Sequence, residues 1–146
     1  MNNLLLSGAA LALAVIIGSI VFQSFIVAPV VFTRLDQNQA RDVLRTLFPR
    51  FFRLNAGAGF VAAIALFACG LVSGWTTSLA WGSAAAAAIV ACMLVSLMVV
   101  PSINLARDQG ESAASRFAAL HRLTVMLTLA ALILAIGVLT TGAVEA

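Results

Sequence analysis

The chain has 146 residues, of which 63% are hydrophobic and 9% charged, and a mean hydropathy of +1.13. Soluble domains carry about 25% charged residues, so a chain this poor in charge cannot coat a globule with water-binding groups. A soluble enzyme, a disordered tail and a nucleic-acid binder are excluded, and the composition is that of an integral membrane protein.

Four charge-free apolar runs follow along the chain, at about 4–32, 54–74, 82–100 and 123–142. A helix needs about 20 apolar residues to cross a bilayer core about 30 Å thick. Exposed strands would leave backbone groups unpaired in lipid, and the runs are too long for barrel strands of about 10 residues. The expected fold is therefore all-α, a single integral domain over 1–146 built as a four-helix transmembrane bundle.

All eight basic residues are arginines, and their placement gives an orientation. Arg34, Arg41, Arg45, Arg50 and Arg53 lie in the first connection, and Arg107, Arg116 and Arg122 in the third. The second connection, 75–81, has no charge and is bracketed by Trp75 and Trp81. Under the positive-inside rule both arginine-rich connections face the cytoplasm, and the N-terminus and Glu145 lie outside.

Within the first connection, Ala40, Val43, Leu44, Leu47, Phe48 and Phe51 repeat at helical spacing, with Arg41, Asp42 and Arg45 between them. This pattern predicts an amphipathic interfacial helix with its arginines toward anionic headgroups, bent into the second span at Pro49. The exits of spans one and three also correspond. Pro29 is followed by Asp36 and Gln39, and Pro101 by Asp108 and Glu111, each Asp with Gln or Glu in capping-box register. A parallel two-hairpin repeat is implied, with a shorter surface helix between spans three and four.

No charge lies within a span, so the chemistry-bearing candidates are neutral. Gln23 and Ser24 precede Pro29, which has no N–H and frees a carbonyl about one turn earlier. With Asn55 at the start of span two they form a candidate polar site in the membrane. Arg50, His121 and Arg122 form a candidate interfacial site, His121 being the single histidine. Gly70 and Gly74 give a small-xxx-small step for helix packing. Cys69 and Cys92 fall in different spans at different depths, and they read as core hydrophobes. No catalytic signature is present, and no metal site or cofactor is expected. Haem on His121, with Met98 or Met126 opposite, or a soft metal ion at the cysteines, would be the alternatives.

Four segments together carry a resemblance: Phe25-x-Val-Ala-Pro-Val-Val-Phe32, Leu47-Phe-Pro-Arg-Phe-Phe52, Val100-Pro-Ser-Ile-Asn104 and Phe117-Ala-Ala-Leu-His-Arg-Leu123. The chain resembles the bacterial domain-of-unknown-function family whose eukaryotic relative is transmembrane protein 205, and more distantly the copper-resistance-D type of inner-membrane protein. The resemblance implies a four-helix membrane bundle in the cell inner membrane. The eukaryotic relative's association with resistance to platinum drugs implies handling of a metal-like solute. The copper-resistance type is richer in His and Met, which argues against metal transport here.

Three functions follow in order of expectation. The first is a non-catalytic accessory subunit or self-associating bundle, with a membrane-protein partner or a second copy. The second is a small transporter or resistance factor for a metal cation or organic solute. The third is a haem- or quinone-linked oxidoreductase.

Overall fold

A computed structural model describes residues 2–144; Glu145 therefore lies outside the described residues. Four long apolar helices make up the chain, with no strand among the described residues. Helix α1 runs Asn2–Arg34, α2 Gln37–Ser73 and α3 Thr77–Asp108. A 3-10 turn at Gly110–Ala113 leads into α4, Ala114–Thr140. The links are short, so successive helices run antiparallel, and α1 closes the bundle against α4. The fold is the expected all-α four-helix bundle, and it is that of a multi-pass membrane protein.

Alanine lets the helices approach. Ala9, Ala62, Ala86, Ala131 and Ala135 are fully buried, interleaved with Leu13, Ile16, Leu66, Ile89 and Val138. Lipid tails are as apolar as leucine, so contact between close-packed small residues, not escape from water, holds such helices together. The outward faces carry Phe60, Ile64, Leu71, Met98, Met126 and Ile133, as a lipid-facing surface requires.

The interfacial helix between spans one and two is not a separate element. Residues 40–51 are helical, but they belong to the single 37-residue α2, with Pro49 inside it. Their apolar face turns inward instead of into lipid: Ala40 and Leu44 are buried against Val31, with Leu35 and Phe48 alongside. At 1.5 Å per residue α2 is about 55 Å long, well beyond a hydrocarbon core of about 30 Å.

The two span exits also diverge. Asp36 caps α2 as expected, accepting from the backbone N–H groups of Asn38 and Gln39 at 3.0 and 2.9 Å, while Gln39 Oε1 accepts from the Asp36 N–H at 3.2 Å. Asp108 caps nothing. It is the last residue of α3, and its carboxylate accepts from Arg45 of α2. Gly110, at φ +65°, ends the helix there. In place of the second surface helix there is one 3-10 turn, and α4 starts without a side-chain cap. The correspondence between the halves stops at this point.

Replacing Asp36 with Ala removes the carboxylate arm of the one complete capping box among the described residues and leaves the backbone N–H at 36 to the Gln39 side chain. It is expected to cost about 1 kcal/mol, read as a lower denaturation midpoint in detergent, whereas Glu111→Ala should leave the midpoint unmoved.

Candidate functional site

Toward the arginine end the bundle opens. The buried residues of α1 run from Leu6 to Ile20, and beyond them only Val31 is buried. In α4, Thr124 is the lowest buried residue, followed by Ala131, Ala135 and Val138. Below these positions α1 and α4 separate, leaving a cleft of about 1070 Å³ walled by all four helices. That is at the upper limit of the roughly 300–1,000 Å³ usual for ligand pockets.

The local cause of the opening lies in α1. Gln23–Val27 forms a π-helical turn in which the Ala28 N–H donates to the Gln23 carbonyl. Pro29 follows with no N–H to give, so the helix widens in the turn before the proline. π-bulges of this kind often mark functional sites. The bulge turns Gln23 and Ser24 toward the cleft, while Pro29 itself is exposed and off its lining.

The rim is basic and aromatic. Arg41 on α2 and Arg107 on α3 both line the cleft, with Asn104 one turn before Arg107 and His121 opposite on α4. The Arg107 guanidinium lies 5.0 Å from the centroid of the Phe117 ring, and Phe117 stacks on His121 with centroids 5.8 Å apart and planes 2° from parallel. Asp108 pairs with Arg45 and lies 4.0 Å from Arg41. One carboxylate therefore faces two guanidiniums, while Arg107 is partly desolvated by burial and sits in the repelling fields of Arg41 and Arg45. The Nε groups of Arg41 and Arg45 are buried without a hydrogen-bond partner among the described residues.

Deeper in, the walls are apolar: Ile20, Phe48, Phe52, Val100, Leu129 and Leu132. Thr128 satisfies its hydroxyl on the Thr124 carbonyl at 2.8 Å. Gln23, Ser24 and Asn104 make no side-chain hydrogen bond with a described residue, unlike Ser83 and Ser96, which donate to their own helices.

The structure divides the expected polar site in the membrane. Gln23 and Ser24 share the cleft, but Asn55 does not reach them. Asn55 is fully buried, its Nδ2 donating to the Phe51 carbonyl at 2.8 Å and its Oδ1 lying 2.7 Å from Ser19 Oγ. This pair clamps α1 to α2, and its polar groups are used up in doing so. The expected interfacial site is also not assembled: His121 lines the cleft, Arg50 lines a neighbouring groove that shares Gln23 and Phe51 with it, and Arg122 is exposed outside both.

The glycine pair serves different ends from helix packing. Gly70 lies under the Trp75 indole, where a Cβ would come within 2.8 Å of the ring, and Gly74 ends α2 at φ +92°. Cys69 is buried, Cys92 is half-buried on another helix, and both thiols are free. Met98 and Met126 point away from the cleft toward the lipid-facing surface. No group of three or more His, Cys, Asp or Glu side chains is assembled among the described residues.

Arg41, Asn104, Arg107 and Phe117 went unselected in the sequence. Their one local signal is the Arg41/Arg45 spacing of a single helix face; the meeting of α2 with the end of α3 is tertiary.

No curated protein and no solved structure matches this chain. Residues 11–112 match the family model described as domain of unknown function (DUF4149). The matched stretch holds the π-bulge, the whole of α2 and the Arg107 end of α3, and stops before α4. With well over half of its length covered, the chain belongs to the DUF4149 family.

Proposed function

We propose that this protein is a small solute-handling protein of the cell inner membrane, a transporter or resistance factor whose solute enters the cleft between α1 and α4. One observation carries the reading: a cleft of about 1070 Å³ whose lining joins Gln23, Ser24, Asn104 and two arginines to an apolar interior. A bundle that served only as a scaffold has no need of such a cleft, and its exposed leucines and phenylalanines are what lipid alone requires. The basic rim favours an organic solute over a metal cation, which Arg41 and Arg107 would repel.

Both arginine-bearing ends then face the cytoplasm, which follows from the positive-inside rule, and the cleft opens at the inner leaflet. The test is flux into proteoliposomes, run with a panel of organic amphiphiles and divalent metals. At least one amphiphile should cross faster than in protein-free vesicles, and Gln23→Leu should slow it several-fold. Rates equal to empty vesicles for every solute would overturn the transport reading. Co-purification of a defined partner subunit, with no solute bound, would favour an accessory role instead.

A further inference from the structure

Resting on the reading of the cleft as the solute site, we propose that its occupant is a membrane lipid with an anionic headgroup. The headgroup phosphate sits against Arg41 and Arg107, and an acyl chain lies along the apolar wall beneath them.

The cleft has the depth of one leaflet. From His121 at the rim to Leu132 at the floor, α4 advances eleven residues, about 16 Å at 1.5 Å each. Half of a hydrocarbon core about 30 Å thick is nearly the same distance. The apolar part of the cleft is thus one leaflet deep, and its rim lies at headgroup level.

The cleft is also open to the bilayer. Phe25 and Phe32 on α1 and Val125 and Leu129 on α4 line the cleft while also being exposed, so the gap between the two helices opens sideways, toward lipid. A molecule already in the inner leaflet enters without leaving the membrane.

Charge points the same way. Arg41 and Arg45 share a single carboxylate, Asp108, and Arg107 lies on the same cleft lining within the repelling fields of both arginines. An anion completes this group, and guanidinium forks suit the oxygens of a phosphate in particular. A cationic amphiphile would meet repulsion, a neutral quinone would leave the guanidiniums uncompensated, and free phosphate would leave the apolar wall uncovered.

The experiment is native mass spectrometry of the full chain released from mild detergent. Phosphatidylglycerol, phosphatidylcholine and a cationic lipid of the same chains are offered in turn, then inorganic phosphate as competitor. Phosphatidylglycerol should be retained about tenfold or more over phosphatidylcholine, with millimolar phosphate failing to displace it. The Arg41→Gln/Arg107→Gln variant should lose that preference, whereas Arg34→Gln/Arg53→Gln, at the same end but off the cleft lining, should keep it. Thr128→Trp, which fills the cleft, should release the lipid from a protein that still elutes as a single species.

A preference that survives Arg41→Gln/Arg107→Gln, or falls equally in the Arg34→Gln/Arg53→Gln variant, overturns the proposal. Equal retention of phosphatidylcholine, released by Thr128→Trp, overturns the anionic headgroup and leaves the cleft as a solute site. Retention of every lipid unchanged by Thr128→Trp overturns both.

Discussion

Asn55→Asp is expected to lower the stability of the bundle by about 3 kcal/mol, and Asn55→Leu by only about 1 kcal/mol. Asn55 is fully buried between α1 and α2, and its two side-chain atoms are each committed. A carboxylate keeps the contact with Ser19 but loses the donor to the Phe51 carbonyl, and places a charge where no water reaches. Leucine loses both bonds, but Ser19 retains the Ile16 carbonyl, 3.0 Å away, as an acceptor. Unfolding in a series of mixed micelles reads the difference. Acidification should restore part of the loss in the Asp variant alone, since protonation removes the charge. Equal costs for Asp and Leu would mean that water reaches this position.

A second large effect concerns a glycine where three helices meet. A Cβ on Gly82 would lie 2.9 Å from the Ala143 Cβ, 3.3 Å from Leu66 Cδ1 and 3.4 Å from Val138 Cγ1. Gly82→Val overfills this junction of α2, α3 and the end of α4, and should cost about 2–3 kcal/mol. Gly137, in the middle of a turn of α4, has nothing within 4 Å of such a Cβ. Gly137→Ala should be neutral or stabilise by about 0.5–1 kcal/mol through the reduced freedom of the unfolded chain. The Gly82→Val midpoint should therefore fall while that of Gly137→Ala holds or rises, and a fall in both would contradict the packing described.

The four helices were legible because charge and its absence are enough to mark them, and Asp36 because its whole capping box lies within four residues. Asp108 presents the same local pattern and fails as a cap, because Arg45, 63 positions away in sequence, holds its carboxylate and Gly110 ends the helix first. The amphipathic stretch 40–51 was legible as a helix, but not in its direction. Its apolar face had two possible covers, lipid or Val31 and Leu35, and periodicity does not distinguish them.

The candidate site was legible only in part. Gln23, Ser24 and His121 stood out as rare polar groups near a span end, and they do share the cleft. The Asn55 partner was missed because Ser19 lies one turn above Gln23, where a serine in an apolar run reads as filler. Gly70 and Gly74 match a packing motif in spacing alone. The Trp75 ring and a positive φ, neither visible in the spacing, decide what they do.

The reading of the cleft as a site for an inner-leaflet solute depends on its mouth opening at that leaflet, with the tryptophan-flanked link on the other side. The direct measurement is labelling by a membrane-impermeant maleimide in a Cys69→Ala/Cys92→Ala background, at Thr77→Cys, the first residue of α3 beside that link, and Ser115→Cys beside the cleft mouth. Thr77→Cys should be labelled from outside in intact cells, and Ser115→Cys only after the membrane is opened. Labelling of Ser115→Cys in intact cells, or of both positions from one side, would contradict that orientation.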